Sequence, residues 1–251
     1  MASGGQFPPQ KQGSQPGKEH LMDPSPQHVS HDYKPANKLH GKVALVTGGD
    51  SGIGRAVCNY FAMEDLGFDE KCKRVVDEVV NVFGRIDVLV NNAAEQYKAS
   101  TVEDIDEERL ERVFRTNIFA YFFMARHALK HMREGSTIIN TTSINAYKGN
   151  AKLLDYTATK GAIVAFTRGL SLQLVSKGIR VNGVAPGPVW TPLIPASFDE
   201  EEMKQFGSEV PMKRAAQPSE IATAYVFLAS NDSSYYSGQV LHPNGGAIVN
   251  G

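Results

Sequence analysis

The stretch Val43-Ala-Leu-Val-Thr-Gly-Gly-Asp-Ser-Gly-Ile-Gly-Arg-Ala-Val57 decides the fold. Its first five residues are an apolar, β-branched run of the kind that forms a buried strand. Gly48, Gly52 and Gly54 follow at once, and Ala56, Val57, Tyr60 and Phe61 then recur at helical spacing. Strand, glycine turn, helix is the setting in which a backbone approaches a pyrophosphate and a helix start presents unpaired N–H groups to it. The turn Gly48-Gly-Asp-Ser51-Gly52-Ile53-Gly54 is therefore the candidate cofactor cradle. Its spacing is Thr-Gly-x-x-x-Gly-x-Gly rather than Gly-x-Gly-x-x-Gly.

Downstream, helices and strands alternate. A helical apolar stripe runs from Phe68 to Phe83, and Ile86–Val90 reads as a strand. A long helix follows over 110–132, then strands at 137–141 and 179–184 flank a helix over 156–175 that closes at Gly178. After a proline-rich loop, 221–229 is helical and 239–242 is the last strand. Such alternation predicts an α/β, doubly wound parallel sheet of the Rossmann-like kind, with ligands outside the carboxyl ends of its strands. Gly48, Asn91, Ser143 and Pro186 all follow strand ends, so they converge on one edge.

Tyr156 and Lys160 stand one helical turn apart, and Ser143 precedes them after a strand. A phenol has a pKa of about 10. A neighbouring ammonium favours the phenolate, so the expectation is a lowered tyrosine pKa and a tuned acid/base.

These motifs together resemble the short-chain dehydrogenase/reductase family. They are Thr47-Gly48-x-x-x-Gly52-x-Gly54, Asn91-Asn-Ala-Ala94, Ser143, Tyr156-x-x-x-Lys160 and Pro186-Gly187, and the likeness spans residues 39–251. The wording of 91–97, 143–150 and 241–246 is similar to the plant glucose-and-ribitol-dehydrogenase-like branch. The resemblance implies roles. Tyr156 is the acid/base, Lys160 lowers its pKa and binds the nicotinamide ribose, and Ser143 holds the substrate oxygen. Asn117 supports a relay water. Pro186, Gly187 and Thr191 cover the nicotinamide, Asn91 and Ala93 lie against the adenosine ribose, and Asp65 matches a cofactor-binding position. The implied activity is NAD(P)-dependent hydride transfer between a nicotinamide and a sugar or polyol CH–OH or carbonyl, by a dimer or tetramer built on the helices at 110–132 and 156–175.

One departure is large. A dinucleotide fold places a second strand and an acidic or basic ribose reader about 20 residues past the glycine turn. Counting from Gly54 reaches Arg74, inside an amphipathic helical pattern. The second and third strands are expected to be missing, and the family resemblance implies that a strand–helix–strand block of roughly 35–45 residues is lost between 63 and 67. A helix of about 12 residues spans about 18 Å, and a junction of about five residues reaches at most about 17 Å. A displaced or shortened segment within 60–72 is therefore expected, with the first strand left as an edge. The alternative function is a catalytically impaired variant acting only through assembly with full-length subunits. Asp50, in place of a basic residue, leans the cofactor choice toward NAD over NADP.

Composition sets the outer bounds. The 251 residues are 41% apolar with net charge −1, enough for one core and no reason to expect nucleic acid. No apolar run has membrane-spanning length. Cys58 and Cys72 read as core thiols of a reducing compartment, with the cytosol expected. Residues 1–38, rich in Gly, Pro, Gln and Ser, read as a disordered tail. No metal site is expected; His127 and His131 read as exposed helical histidines. Trp190 either lines a substrate pocket or packs. The Asp199-Glu-Glu-Glu202 run reads as a helix start.

Overall fold

The computed structural model describes residues 7–57 and 67–249. Among the described residues, five parallel strands form one sheet: β1 (Ala44–Val46), β2 (Val88–Asn91), β3 (Thr137–Thr141), β4 (Arg180–Val184) and β5 (Val240–Leu241). Their order is β1-β2-β3-β4-β5, with Leu45 opposite Leu89, Leu89 opposite Ile138 and Ile138 opposite Val181. Successive residues of a strand face opposite sides, and the chain uses both. Leu45, Leu89, Ile138 and Val181 pack under α2 (Asp69–Phe83), α4 (Ala120–Ala128) and α6 (Leu154–Leu174). Val46, Val90, Ile139 and Val184 pack on the other face against α1 (Gly52–Val57) and α8 (Pro218–Ala229). That is the doubly wound arrangement.

Among the described residues β1 pairs directly with β2 and is an edge strand, as expected for a sheet without its second and third strands. Residues 58–66, which hold Cys58, Asp65 and most of the junction expected to be displaced, lie outside the described residues; Cys72 is buried in the core. Past them, α2 starts at Asp69 with Phe68 as its N-cap.

The long helix expected over 110–132 begins earlier and is not regular. It comprises α3 (Glu107–Phe114), a π turn (Arg115–Phe119) and α4, with Asn117 in the π turn. Such turns cluster at functional sites. The acidic run starts α7 (Glu200–Gln205) as expected, with Asp199 accepting from the Glu202 amide. His127 corrects its expectation: it is 5% exposed, and its Nε2 lies 2.8 Å from Asp69. The pairing joins α4 to the first turn of α2, where an acidic residue also suits the helix dipole.

The tail also differs from expectation. Its described part, from Phe7, runs against the domain. Met22 is buried with Trp190, Ile194 and Met203, and Phe7 stacks on Trp190 with ring centroids 4.1 Å apart. Composition argued for disorder because apolar residues are few. Met22 and Phe7 dock on the apolar surface of the loop after β4, and polar contacts from Gln12, Gln15 and Glu19 add to them. Trp190 therefore packs, with its indole N–H donating to the Pro24 carbonyl at 2.8 Å.

Candidate active site

The carboxyl ends of β1 to β4 open into one cleft of about 1640 Å³, which runs from the glycine turn past Ser143 and Tyr156 to the loop after β4. The turn is shaped by close approach. Gly48 has φ +64°, and a Cβ there would lie 3.0 Å from the Ala93 Cα; one on Gly54 would lie 2.0 Å from the Gly48 carbonyl oxygen. Only hydrogen fits these positions, so the turn is cut to leave backbone facing the cleft. Gly48, Ser51, Gly52 and Ile53 line the cleft, as do Ala93, Pro186, Gly187 and Thr191.

Asn91 does not stand where the resemblance put it. It is fully buried, and its Nδ2 donates 2.9 Å to Asn140 Oδ1, while Asn140 Nδ2 donates 2.9 Å to Thr167 Oγ1. This buried chain ties β2 through β3 to α6. The cleft residue is its neighbour Asn92, whose amide N–H donates to Thr47 Oγ1 (2.8 Å) and whose Nδ2 donates to the Thr47 carbonyl (3.2 Å), bracing the glycine turn. Asn91 is the last residue of β2 and stays inside the sheet, whereas Asn92 begins the loop beyond it, which an Asn-Asn pair does not reveal.

Ser143, Tyr156 and Lys160 do come together. Tyr156 is 7% exposed and Lys160 1%. Ser143, Tyr156 and Lys160 line the same cleft, and the Lys160 Nζ lies 5.3 Å from the Tyr156 ring centroid. The ammonium donates to the Thr141 carbonyl at 2.9 Å, and Thr142 Oγ1 donates to the Lys160 carbonyl at 2.7 Å. The end of β3 thus fixes α6 at the lysine.

The electrostatics reverse the expectation for the tyrosine. Burial pushes the Tyr156 phenol up to about 12, with the nearby Ser143 hydroxyl pulling the other way. Burial also lowers Lys160 to about 7. Desolvation disfavours each charged form, and here it outweighs the attraction that the spacing suggested. At neutral pH the phenol keeps its proton.

Asn117 is wholly engaged. Its Oδ1 accepts from the Glu95 N–H at 2.9 Å, and its Nδ2 donates to the Glu95 carbonyl (2.9 Å) and to Thr159 Oγ1 (3.1 Å). Its side chain braces the loop after β2 against the residue before Lys160. Asp155 was missed by the sequence reading. Its Oδ1 accepts from the Tyr156 N–H at 2.8 Å and its Oδ2 from Arg109 Nε at 2.8 Å, while Arg109 also donates to the Tyr97 and Lys98 carbonyls. With no side-chain cap from Leu153, Asp155 satisfies an open N–H in the first turn of the tyrosine's helix. The adjacent acidic residue was the available signal.

A family described as "Enoyl-(Acyl carrier protein) reductase" matches residues 50–247. The chain belongs to the short-chain dehydrogenase/reductase family. Among relatives, it is 79% identical to a carrot (Daucus carota) glucose and ribitol dehydrogenase, with both chains covered in full. It is 68% identical to an Arabidopsis thaliana protein named NADPH-dependent aldehyde reductase 1, chloroplastic, over 96% of this chain and 98% of that one. Among solved structures, a Burkholderia cenocepacia short-chain dehydrogenase in complex with NADP is 25% identical with a TM-score of 0.78, over 84% of this chain and 99% of that one. As a short-chain dehydrogenase/reductase, the chain is an oxidoreductase whose fold and cleft agree with that membership.

Proposed function

We propose that the cleft binds a nicotinamide dinucleotide and reduces the carbonyl of a sugar or small aldehyde, or runs the reverse oxidation of a sugar or polyol hydroxyl. One observation carries the reading: Ser143, Tyr156 and Lys160 line the same cleft as the glycine turn, with the Lys160 Nζ 5.3 Å from the Tyr156 ring centroid. The cradle fits such a cofactor, because Gly48, Gly49 and Gly52 line the cleft with backbone alone. Gly48, Ser51, Ile53 and Ala93 would hold the dinucleotide on one side, beside Gly52, whose N–H is donated to Glu19, and Pro186, Gly187 and Thr191 on the other. A nicotinamide bound there would supply or take the hydride.

The chain's own residues handle the proton. Ser143 Oγ orients the substrate oxygen toward Tyr156. The phenol, held protonated by burial, is the acid that carbonyl reduction requires. Lys160, carried on the Thr141 carbonyl, steadies the charge that develops as the proton leaves. Asn117 and Asp155 keep the loop after β2 and the first turn of α6 in register around them.

The printed names of the carrot and Arabidopsis relatives support sugars, polyols and aldehydes as the substrate class. The lean toward NAD drawn from Asp50 gains no support from relatives and neighbours named with NADPH or NADP, so both cofactors stand in the proposal. A reducing compartment, the cytosol in our reading, suits the buried thiol of Cys72, while the Arabidopsis relative is named chloroplastic. Assembly of copies through α4 and α6 is supported by exposed Phe122 and Leu172. The missing strand–helix–strand block is placed after Met63. In its support, the carrot alignment runs over 291 positions against 251 residues here, so at least 40 positions lack a residue of this chain. Consistent with that, the apolar face of α2 at Val79, Val82 and Phe83 opens into the cleft beside β1.

The test is a panel of aldoses, polyols and short aldehydes with each oxidised and reduced cofactor, followed by nicotinamide absorbance. Turnover of at least one pair is expected; no turnover, together with no cofactor binding by fluorescence at millimolar concentration, would refute the reading.

A further inference from the structure

The loop after β4 forms one wall of the cleft through Thr191, Pro192, Leu193, Ile194 and Phe198. What holds that loop is unusual. Its apolar cluster of Trp190, Ile194 and Met203 is completed by Met22 and Phe7, both from the N-terminal segment. Polar contacts repeat the pattern. The Gln12 N–H donates to the Pro195 carbonyl at 2.7 Å. Gln15 Nε2 donates to Ser197 Oγ at 2.7 Å and to the Leu193 and Gln96 carbonyls, both at 3.3 Å. Gly17 lies so close that a Cβ would stand 2.0 Å from the Pro192 carbonyl oxygen.

The same segment then crosses to the opposite wall. Pro16 lines the cleft itself. Glu19 accepts from the Gly52 N–H at 3.0 Å and pairs with Arg55, so the strand of chain from Gln12 to Glu19 joins the substrate-side loop to the glycine turn.

We infer that residues 7–24 are a working part of the active site, a brace that positions the loop at 191–206 over the cleft, with Gln15 and Gly17 as its positioning residues. The loop has internal turns and ion pairs from Asp199 and Glu202 to Lys98 and Lys152, but its apolar underside at Trp190, Ile194 and Met203 is closed by the N-terminal segment, and without that cover the loop would sample open forms. Tying it to a second segment that also grips the glycine turn lowers the ordering cost left for substrate to meet. The consequence falls on binding rather than on the proton transfer at Tyr156.

The inference rests on the cleft being a cofactor and substrate site, and its test separates the two. Three variants loosen the brace to different degrees: Gln15→Ala removes hydrogen bonds only, Gly17→Val wedges the segment from Pro192, and a chain starting at residue 28 lacks it. Amide hydrogen exchange over 191–206 is read first, since it needs no turnover. Exchange should accelerate about tenfold in Gly17→Val and in the shortened chain, the factor that corresponds to ~1.4 kcal/mol of lost local stability. Gln15→Ala should show a smaller rise of the same sign. Steady-state kinetics then should show substrate KM rising about as much, with kcat changed far less. Unchanged exchange over 191–206 in all three variants would overturn the inference. So would accelerated exchange accompanied by wild-type KM, or by a loss confined to kcat.

Discussion

Replacing Lys160 by Met should make the protein more stable while removing its activity. The buried ammonium titrates at about 7 instead of its ordinary 10.5. At about 1.4 kcal/mol per pH unit, that interval corresponds to roughly 5 kcal/mol charged against the fold when the lysine is protonated. The sign follows from proton binding. Below about pH 7 both folded and unfolded chains hold the proton, and the full penalty is present. Between about 7 and 10.5 the unfolded chain binds more protons than the folded one, so stability rises with pH through that window. Methionine has a similar length and no charge. The hydrogen bond to the Thr141 carbonyl is lost, but the Tyr121 hydroxyl also donates to that oxygen at 3.2 Å, so no buried acceptor is orphaned and the loss is about 1 kcal/mol. Lys160→Met should therefore exceed wild type by roughly 2–4 kcal/mol near pH 6, and the gap should shrink toward zero by about pH 10. Urea unfolding at a series of pH values measures both quantities. A variant less stable than wild type near pH 6, or a gap that does not change with pH, would show that Lys160 is not a desolvated cation.

Other perturbations probe the cradle and its supports. Gly54→Ala puts a Cβ 2.0 Å from the Gly48 carbonyl oxygen; dinucleotide affinity by fluorescence titration should fall about tenfold or more, equivalent to at least ~1.4 kcal/mol, and an unchanged affinity would place the cofactor elsewhere. Asp155→Asn keeps an acceptor for the Tyr156 amide but leaves Arg109 uncompensated; the cost should be roughly 3 kcal/mol in urea unfolding, as for a broken buried pair, and a cost under about 1 kcal/mol would show that the pair is not worth its burial.

Local chemistry was legible in the sequence where it is local in space. The strand at Val43–Thr47, its glycine turn, the strand at 137–141 and the Tyr156–Lys160 helix each declare themselves through periodicity and punctuation within about 15 residues. Contacts between distant segments did not. Nothing near Met22 or Phe7 signals that Trp190, far along the chain, needs them. His127 looked exposed because its partner Asp69 lies on another helix. The choice between Asn91 and Asn92 required knowing where β2 ends: Asn91 is its last, buried residue and Asn92 begins the loop at the cleft. The tyrosine's pKa was misjudged in sign for a related reason: spacing shows that a cation is near, but only the packed structure shows how far both groups have been taken out of water.

In the proposed reaction Tyr156 gives the proton in this cleft, and deleting its hydroxyl tests that role. Tyr156→Phe keeps the ring and its packing and deletes only the hydroxyl. With the best substrate from the panel, kcat should fall by at least about 10²-fold, the contribution of a positioned acid, while dinucleotide affinity stays near wild type. A variant that retains wild-type turnover would contradict the account.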